Sequence, residues 1–343
     1  MNDRHALLGT DVQARRPSTQ VSLSRVGVTG VEKIVRVRSD GAEALFYAEL
    51  ECFVDLGPQQ KGAHMSRFEE IVNEAIDEVI IGEAAFKAET LAAHIAERVR
   101  DRQEGRRAEV TIAARYPEYK RAPVSALPTQ EIYTLFGSAV ASAGGTRRLV
   151  GVEAQGMTAC PCAQELVMDR SQERLREDGF TDDEITRVFE AVPVATHNQR
   201  GIGTLHIGCP EGCEEEFDAE ALLQIVESAM SSEIYELMKR SDELEVVEKA
   251  HLQLRFVEDC VREMVRMAIE RFGHLDDNAF VSARQENLET IHKHNVVAER
   301  QGLLGELRRE VESGERARHD VTRRAWLEDV ASRSATADDS RVV

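Results

Sequence analysis

Long apolar runs are missing from this 343-residue chain. No stretch of about 18 uninterrupted apolar residues is present, so no segment qualifies as a membrane-spanning helix. The opening residues Met1 to Arg16 lack the apolar centre of a secretory leader, and the cytoplasm is the expected compartment. Lysine is scarce: seven stand against 36 arginines. Acidic residues outnumber basic ones by 62 to 43, a net charge of −19. That balance argues against a nucleic-acid partner, because phosphate backbones are bound mainly through Lys and Arg. An acidic, Lys-poor surface suits a cytoplasm at high salt, where self-repulsion is screened, and a halophilic source is expected. Six cysteines are too few for a disulfide framework in a chain of this length. Neither a G-x-x-x-x-G-K-[ST] loop nor a G-x-G-x-x-G turn between strand and helix occurs, which leaves P-loop and Rossmann chemistry unsupported.

What is present is periodicity, with a 42% hydrophobic fraction that suffices for a real core. Residues 1–20 mix Asp, Arg, Pro and Ser without a period and read as a mobile arm, with Asp11-Val12-Gln13 a candidate docking segment. Val21 to Val37 and Ala44 to Val54 read as a hairpin, the second strand alternating Phe46, Ala48, Leu50, Cys52 and Val54 on one face. Ser66 and Glu69 suggest a capping box for a helix, a second helix is expected over Glu89 to Asp101, and strands over Val110 to Ala114 and Ile132 to Ala143. The same order recurs: strands over Thr146 to Gln155 and Gly201 to Ile207, helices over Asp218 to Lys239 and Phe256 to Phe272, strands over Asn278 to Arg284 and Thr290 to Ala298. The chain thus reads as β-β-α-α-β-β twice, an α+β protein with units at 21–145 and 146–312. A helical insertion at 164–194 contains a capping box from Thr181 to Glu184, and residues 313–343 read as a disordered tail.

Chemistry concentrates at Gly156-Met-Thr-Ala-Cys160-Pro-Cys162 and at Thr196-His197-Asn-Gln-Arg200. Thiolate and imidazole are the usual ligands of zinc and other late first-row divalent ions. Set against that, a lone Cys is most often a small buried hydrophobe, and a lone surface His usually does nothing. Cys209-Pro-Glu-Gly-Cys213 offers a second pair, able either to complete a four-sulfur zinc staple with Cys160 and Cys162 or to form a plain solvent-facing turn. Glu258 falls between Val257 and Cys260 on the apolar side of its helix, where an uncompensated carboxylate is costly, so a partner is expected for it.

Six motifs in one order carry a resemblance: Lys61-Gly-Ala-His64-Met-Ser-Arg67, Gly156 to Cys162, His197 to Arg200, Lys239-Arg-Ser-Asp-Glu243, Arg255-Phe-Val-Glu258-Asp259 and Glu289-Thr-Ile-His292-Lys293-His294. Together with Asp11-Val-Gln13 they resemble the GTP cyclohydrolase type IB family, nearest its archaeal MptA branch, over roughly residues 9–300. Ser241 stands where bacterial members usually have Pro, and the insertion before His197 is long, as in archaeal members.

The resemblance implies tandem tunnelling-fold (T-fold) units, each a four-stranded antiparallel sheet with two helices on one face, assembled as a homotetramer. It implies a metal held by Cys160, His197, Glu243 and His292, with Cys162 a buried packing thiol. The mixed ligand set suits Fe(II), Zn(II) or Mn(II), and the family leans to Fe(II). Glu258 would anchor guanine, Glu289 would contact substrate, His294 would assist proton transfer, and Lys61, Arg67, Arg200 and Lys293 would meet phosphates. The implied reaction opens the imidazole ring of GTP, releases formate and yields 7,8-dihydroneopterin 2′,3′-cyclic phosphate, an early step of pterin biosynthesis. Two alternatives remain: a T-fold nitrile reductase with a nucleophilic Cys, and a non-enzymatic protein stapled by zinc.

Overall fold

The computed structural model describes residues 12–39, 42–80, 87–317 and 321–328. Strands β1 (Leu23–Ser39) and β2 (Ala42–Leu56) are followed by helices α1 (Met65–Ile80) and α2 (Ala88–Arg102), then β3 (Ala108–Arg121) and β4 (Pro128–Ser142). The second unit opens with β5 (Gly145–Ala159), crosses α3 (Pro161–Glu177) and α4 (Asp182–Ala191), and returns as β6 (Asn198–Cys209). After it come α5 (Ala219–Ser228), the short β7 (Ser232–Glu233), α6 (Arg240–Leu252), α7 (Val257–Phe272), β8 (Phe280–Leu288), β9 (Val296–Leu303), α8 (Leu304–Ser313) and α9 (Arg323–Leu327). Every pairing is antiparallel and the main order is β1-β2-β3-β4-β5-β6-β8-β9. This is the tandem four-stranded plan expected from the sequence, with the two units joined edge to edge through β4 and β5.

Alternation decides which face is covered. Odd residues of β4 (Leu135, Ala139, Ala141) and even residues of β5 (Val150, Val152, Ala154) enter one core with the apolar stripes of α1, α2, α5 and α7. Leu91, Ile95 and Val99 of α2 are fully buried there, each burial contributing roughly 1.5–3 kcal/mol. Close approach is built in at Gly137, where a Cβ would meet the backbone of Ala88 at 2.2 Å. The units are also tied by the buried Glu227, which accepts from Tyr133 Oη at 3.0 Å and pairs with Lys120. No helix among the described residues is long and apolar enough to cross a membrane.

Several elements differ from the sequence reading. The first helix begins at Met65, so Ser66 lies inside its first turn instead of capping it. The helix expected over Asp218 to Lys239 ends at Ser228, where β7 adds to the end of β5, and α6 is a separate helix that the apolar stripe did not reveal. Strand β9 starts at Val296, which leaves residues 289–295 as a loop. Part of the expected disordered tail is ordered: Trp326 of α9 is buried and stacks on Phe280 with ring centroids 5.5 Å apart. Residues 329–343 and 1–11, including Asp11, lie outside the described residues. Gln13 does dock, its carbonyl accepting from the backbone N–H of Lys61 and Gly62 at 3.1 and 3.3 Å. The Thr181–Glu184 capping box forms as expected.

Candidate active site

Strands β5 and β6 end together, Ala159 opposite Asn198, and this places Cys160 beside His197. The Cys160 N–H donates to the His197 carbonyl at 3.2 Å, and Thr196 Oγ1 donates to the Cys160 carbonyl at 2.8 Å. Cys160 is also the N-cap of α3: its sulfur accepts from the Ala163 N–H at 3.5 Å, and Pro161 opens the helix without an orphan donor. His197 Nδ1 lies 3.9 Å from Glu289 Oε2, with the two side chains 15% and 7% exposed. Both atoms are buried without a hydrogen-bond partner. The Glu289 loop is held to this spot by Thr290 Oγ1, which donates to the Asn198 carbonyl at 3.1 Å.

The other expected ligands stand further out. Glu243 is exposed in the first turn of α6, and His292 is exposed in the 289–295 loop, stacked on His294 with centroids 5.1 Å apart. Among the described residues no three His, Cys, Asp or Glu side chains come together closely enough to hold an ion. A single chain therefore ties the Cys160 and His197 backbones together and sets Glu289 beside the His197 ring, but does not bring Glu243 and His292 to them. The donor types fit a late first-row divalent ion: a half-buried thiol and an imidazole beside a buried carboxylate with an unused oxygen.

Glu258, in the first turn of α7, is exposed and not buried, and it stands at the edge of a cavity of about 320 Å³ lined by Val261, Val265, Ala298, Leu307 and Val311. The start of that helix is nonetheless fixed near the site, since the Arg255 N–H donates to the Ala159 carbonyl at 3.1 Å. Cys162 is exposed, which overturns its reading as a buried packing thiol. Arg200 and Lys293 are exposed near the same strand ends. Lys61 and Arg67 leave from the end of β2, whose Val54 is level with Ala108 of β3, Ala141 of β4 and Thr146 of β5. That is the opposite end of β5 from Cys160. Arg67 there donates to the Arg102 carbonyl at 3.0 Å.

The four-sulfur staple is overturned. Cys209 and Cys213 are joined in a disulfide, their Cα atoms 5.7 Å apart. They sit at the far end of β6 from Asn198, roughly 35 Å from the Cys160 end at about 3.3 Å per residue.

Sequence reasoning missed Asp242. Its side chain is fully buried and accepts from the N–H of Val124 (2.8 Å), Ser125 (2.7 Å) and Lys239 (2.8 Å) and from Ser125 Oγ (2.7 Å). Burial opposes its charge, but these four donors outweigh burial and hold its pKa well below the ordinary carboxylate range. The β3–β4 turn of the first unit is thereby locked onto the start of α6, the helix that carries Glu243. An acidic residue three positions after Lys239 was the available signal, obscured because Lys239 was read as the end of a longer helix.

A helix-backed antiparallel sheet whose strand ends carry a cysteine, a histidine and a carboxylate defines an α+β scaffold with metal-ligand residue types gathered at one end. The chain belongs to the type I GTP cyclohydrolase folE2 family, whose model matches residues 10–298. It is an enzyme of that class. Among curated relatives it is 40% identical over 308 residues to GTP cyclohydrolase MptA of Methanococcus aeolicus, covering 88% of this chain and 99% of that one. It is 41% identical over 312 residues to the protein of the same name from Methanosarcina acetivorans, covering 88% and 96%. The family match removes the nitrile-reductase alternative. Among solved structures, uricase from Arthrobacter globiformis superposes with a TM-score of 0.49 at 11% identity, covering 88% of this chain and 98% of that one.

Proposed function

We propose that this GTP cyclohydrolase opens the imidazole ring of GTP at a divalent metal site completed between subunits of a homotetramer. It would release formate and form 7,8-dihydroneopterin 2′,3′-cyclic phosphate for pterin biosynthesis, and converting the triphosphate to a cyclic monophosphate requires the outer two phosphates to leave. The observation that carries the reading is the junction where β5 and β6 end: the Cys160 and His197 backbones are hydrogen-bonded there, and the His197 ring lies 3.9 Å from Glu289. Cys160, His197, Glu243 and His292 would hold the ion, with Fe(II) favoured over Zn(II) or Mn(II) by family resemblance. A bound divalent ion supplies hydroxide at neutral pH by lowering the pKa of its water. Glu289 would orient His197 through Nδ1, fixing its tautomer, and His294 would carry a proton. Glu258 would accept from N1–H and the 2-amino group of guanine, a bidentate pairing that adenine cannot offer. Arg200 and Lys293 would meet phosphates on one chain. Lys61 and Arg67, at the other end of the sheet, would do so from a neighbouring copy, which supports an oligomeric site.

The test is anaerobic purification with metal analysis, followed by incubation with GTP and detection of formate and of a fluorescent pterin after oxidation. One metal per subunit and stoichiometric formate are expected; GTP left intact by metal-loaded protein overturns the reading. Glu258→Gln should weaken GTP binding while metal content stays unchanged, and ATP should not compete with GTP for the parent enzyme.

A further inference from the structure

The face of the sheet opposite the core helices carries a cavity of about 460 Å³, walled by β1, β3, β4, β9 and α9. Arg25, Arg107 and Arg323 all line it. Arg25 and Arg107 share one carboxylate, Glu109, each at 3.3 Å. Arg107 Nε is still a buried donor with no partner. Arg323 donates from Nη2 to Ser138 Oγ at 2.8 Å, and its own backbone N–H is held by Gln301 Oε1 at 2.7 Å. It has no carboxylate partner among the described residues. On the rim, Arg324 and Glu328 neutralise each other at 2.8 Å.

Three guanidinium groups around one carboxylate are out of place on a chain of net charge −19. A partly buried cation short of an anion is costly, and the cost falls when a ligand brings the missing charge. Guanidinium presents paired N–H donors in a plane, which matches the oxygens of a phosphate group. Two unmatched positive charges call for a dianion, and a cavity of this volume is in the range that holds a small organic ligand. We propose that the cavity binds a small phosphorylated anion, with Arg25, Arg107 and Arg323 as its cation set and Ser138 as a neutral partner. Arg323 lies beyond residue 298, where the family match ends, whereas Arg25, Arg107 and Ser138 lie within it, so the C-terminal segment completes the cation set. A bound anion would fasten residues 321–328 to the sheet.

Calorimetric titration of the full-length protein with inorganic pyrophosphate, and separately with inorganic phosphate, tests this at an ionic strength held constant with KCl. Saturable binding is expected, weakened at least tenfold in Arg323→Gln and in Arg25→Gln, with GTP-dependent formate release unchanged in both. Arg25 is half exposed on β1, so its variant should fold even if loss of Arg323 loosens the tail, and thermal melts of each variant check this. Binding that neither substitution weakens would place the ions at the nucleotide site and overturn the proposal. Absence of binding to the parent protein overturns it as well.

Discussion

His197 Nδ1 and Glu289 Oε2 face each other 3.9 Å apart, both buried and neither with a hydrogen-bond partner. A shift of under about 1 Å would make an Nδ1–H···O bond and leave Nε2 free as a ligand. Glu289→Gln should therefore cut metal affinity and formate release about 10- to 100-fold while the fold is kept. Metal content by mass spectrometry against turnover checks this; full metal loading with unchanged turnover would leave Glu289 without the orienting role.

The two neighbouring thiols should behave differently. Cys160 is half-buried beside His197, whereas Cys162 is exposed in the first turn of α3. Cys160→Ala should lose bound metal and turnover together. Cys162→Ala should keep both and change stability by less than about 0.5 kcal/mol. Equal metal loss from the two variants would refute the assignment.

His206 gives a pH dependence. Its ring is buried flat over Gly151, against Phe136 at 5.5 Å between centroids, and its Nε2 has no partner. Burial, reinforced by the charge of Arg323, lowers its pKa to about 3. The folded-state pKa is depressed, so as pH falls below about 6.5 the unfolded chain takes up the proton first. Stability present at neutral pH is then lost as pH falls from about 6.5 towards about 3, by up to roughly 1.4 kcal/mol per pH unit from this group. Denaturant unfolding of the parent and His206→Gln across pH 7 to 4 should show a flatter profile in the variant; parallel profiles would contradict the shift.

The surface charge predicts a salt response. With net charge −19 and few lysines, self-repulsion should weaken the assembled protein at low ionic strength. We expect the melting temperature, and the proposed oligomer, to hold in molar KCl and to fall on dialysis into dilute buffer, followed by thermal melts and light scattering. A melting temperature independent of salt would remove the halophilic reading.

Much of the chain was legible because alternation and helical stripes are local. Ala48, Leu50, Cys52 and Val54 had to share a face whatever lay against them, and the repeated β-β-α-α-β-β order followed from such patterns. Errors fell where local pattern and tertiary partner disagree. Residues 290–295 look extended but have no strand to pair with, since the β8–β9 ladder closes at Asn287 and Val296. Trp326 was passed over in a charged, apolar-poor segment because one aromatic makes no periodicity, and its burial depends on Phe280 some 46 residues away.

The sequence by itself determined the class of fold, the family and the identity of Cys160 and His197 as a pair, because motif order and residue type survive without coordinates. Only the tertiary structure decided burial and partnership. The register of β5 on β6 brought Cys160 to His197 and separated it from Cys209 by the length of a strand. The packing of α7 beside β9 and α8 left Glu258 exposed at the edge of a cavity, and the β3–β4 turn made Asp242 a buried anchor instead of one more surface charge. These outcomes depend on contacts between segments far apart in the chain, such as Cys160 with His197 and Ser125 with Asp242, and no local period encodes them.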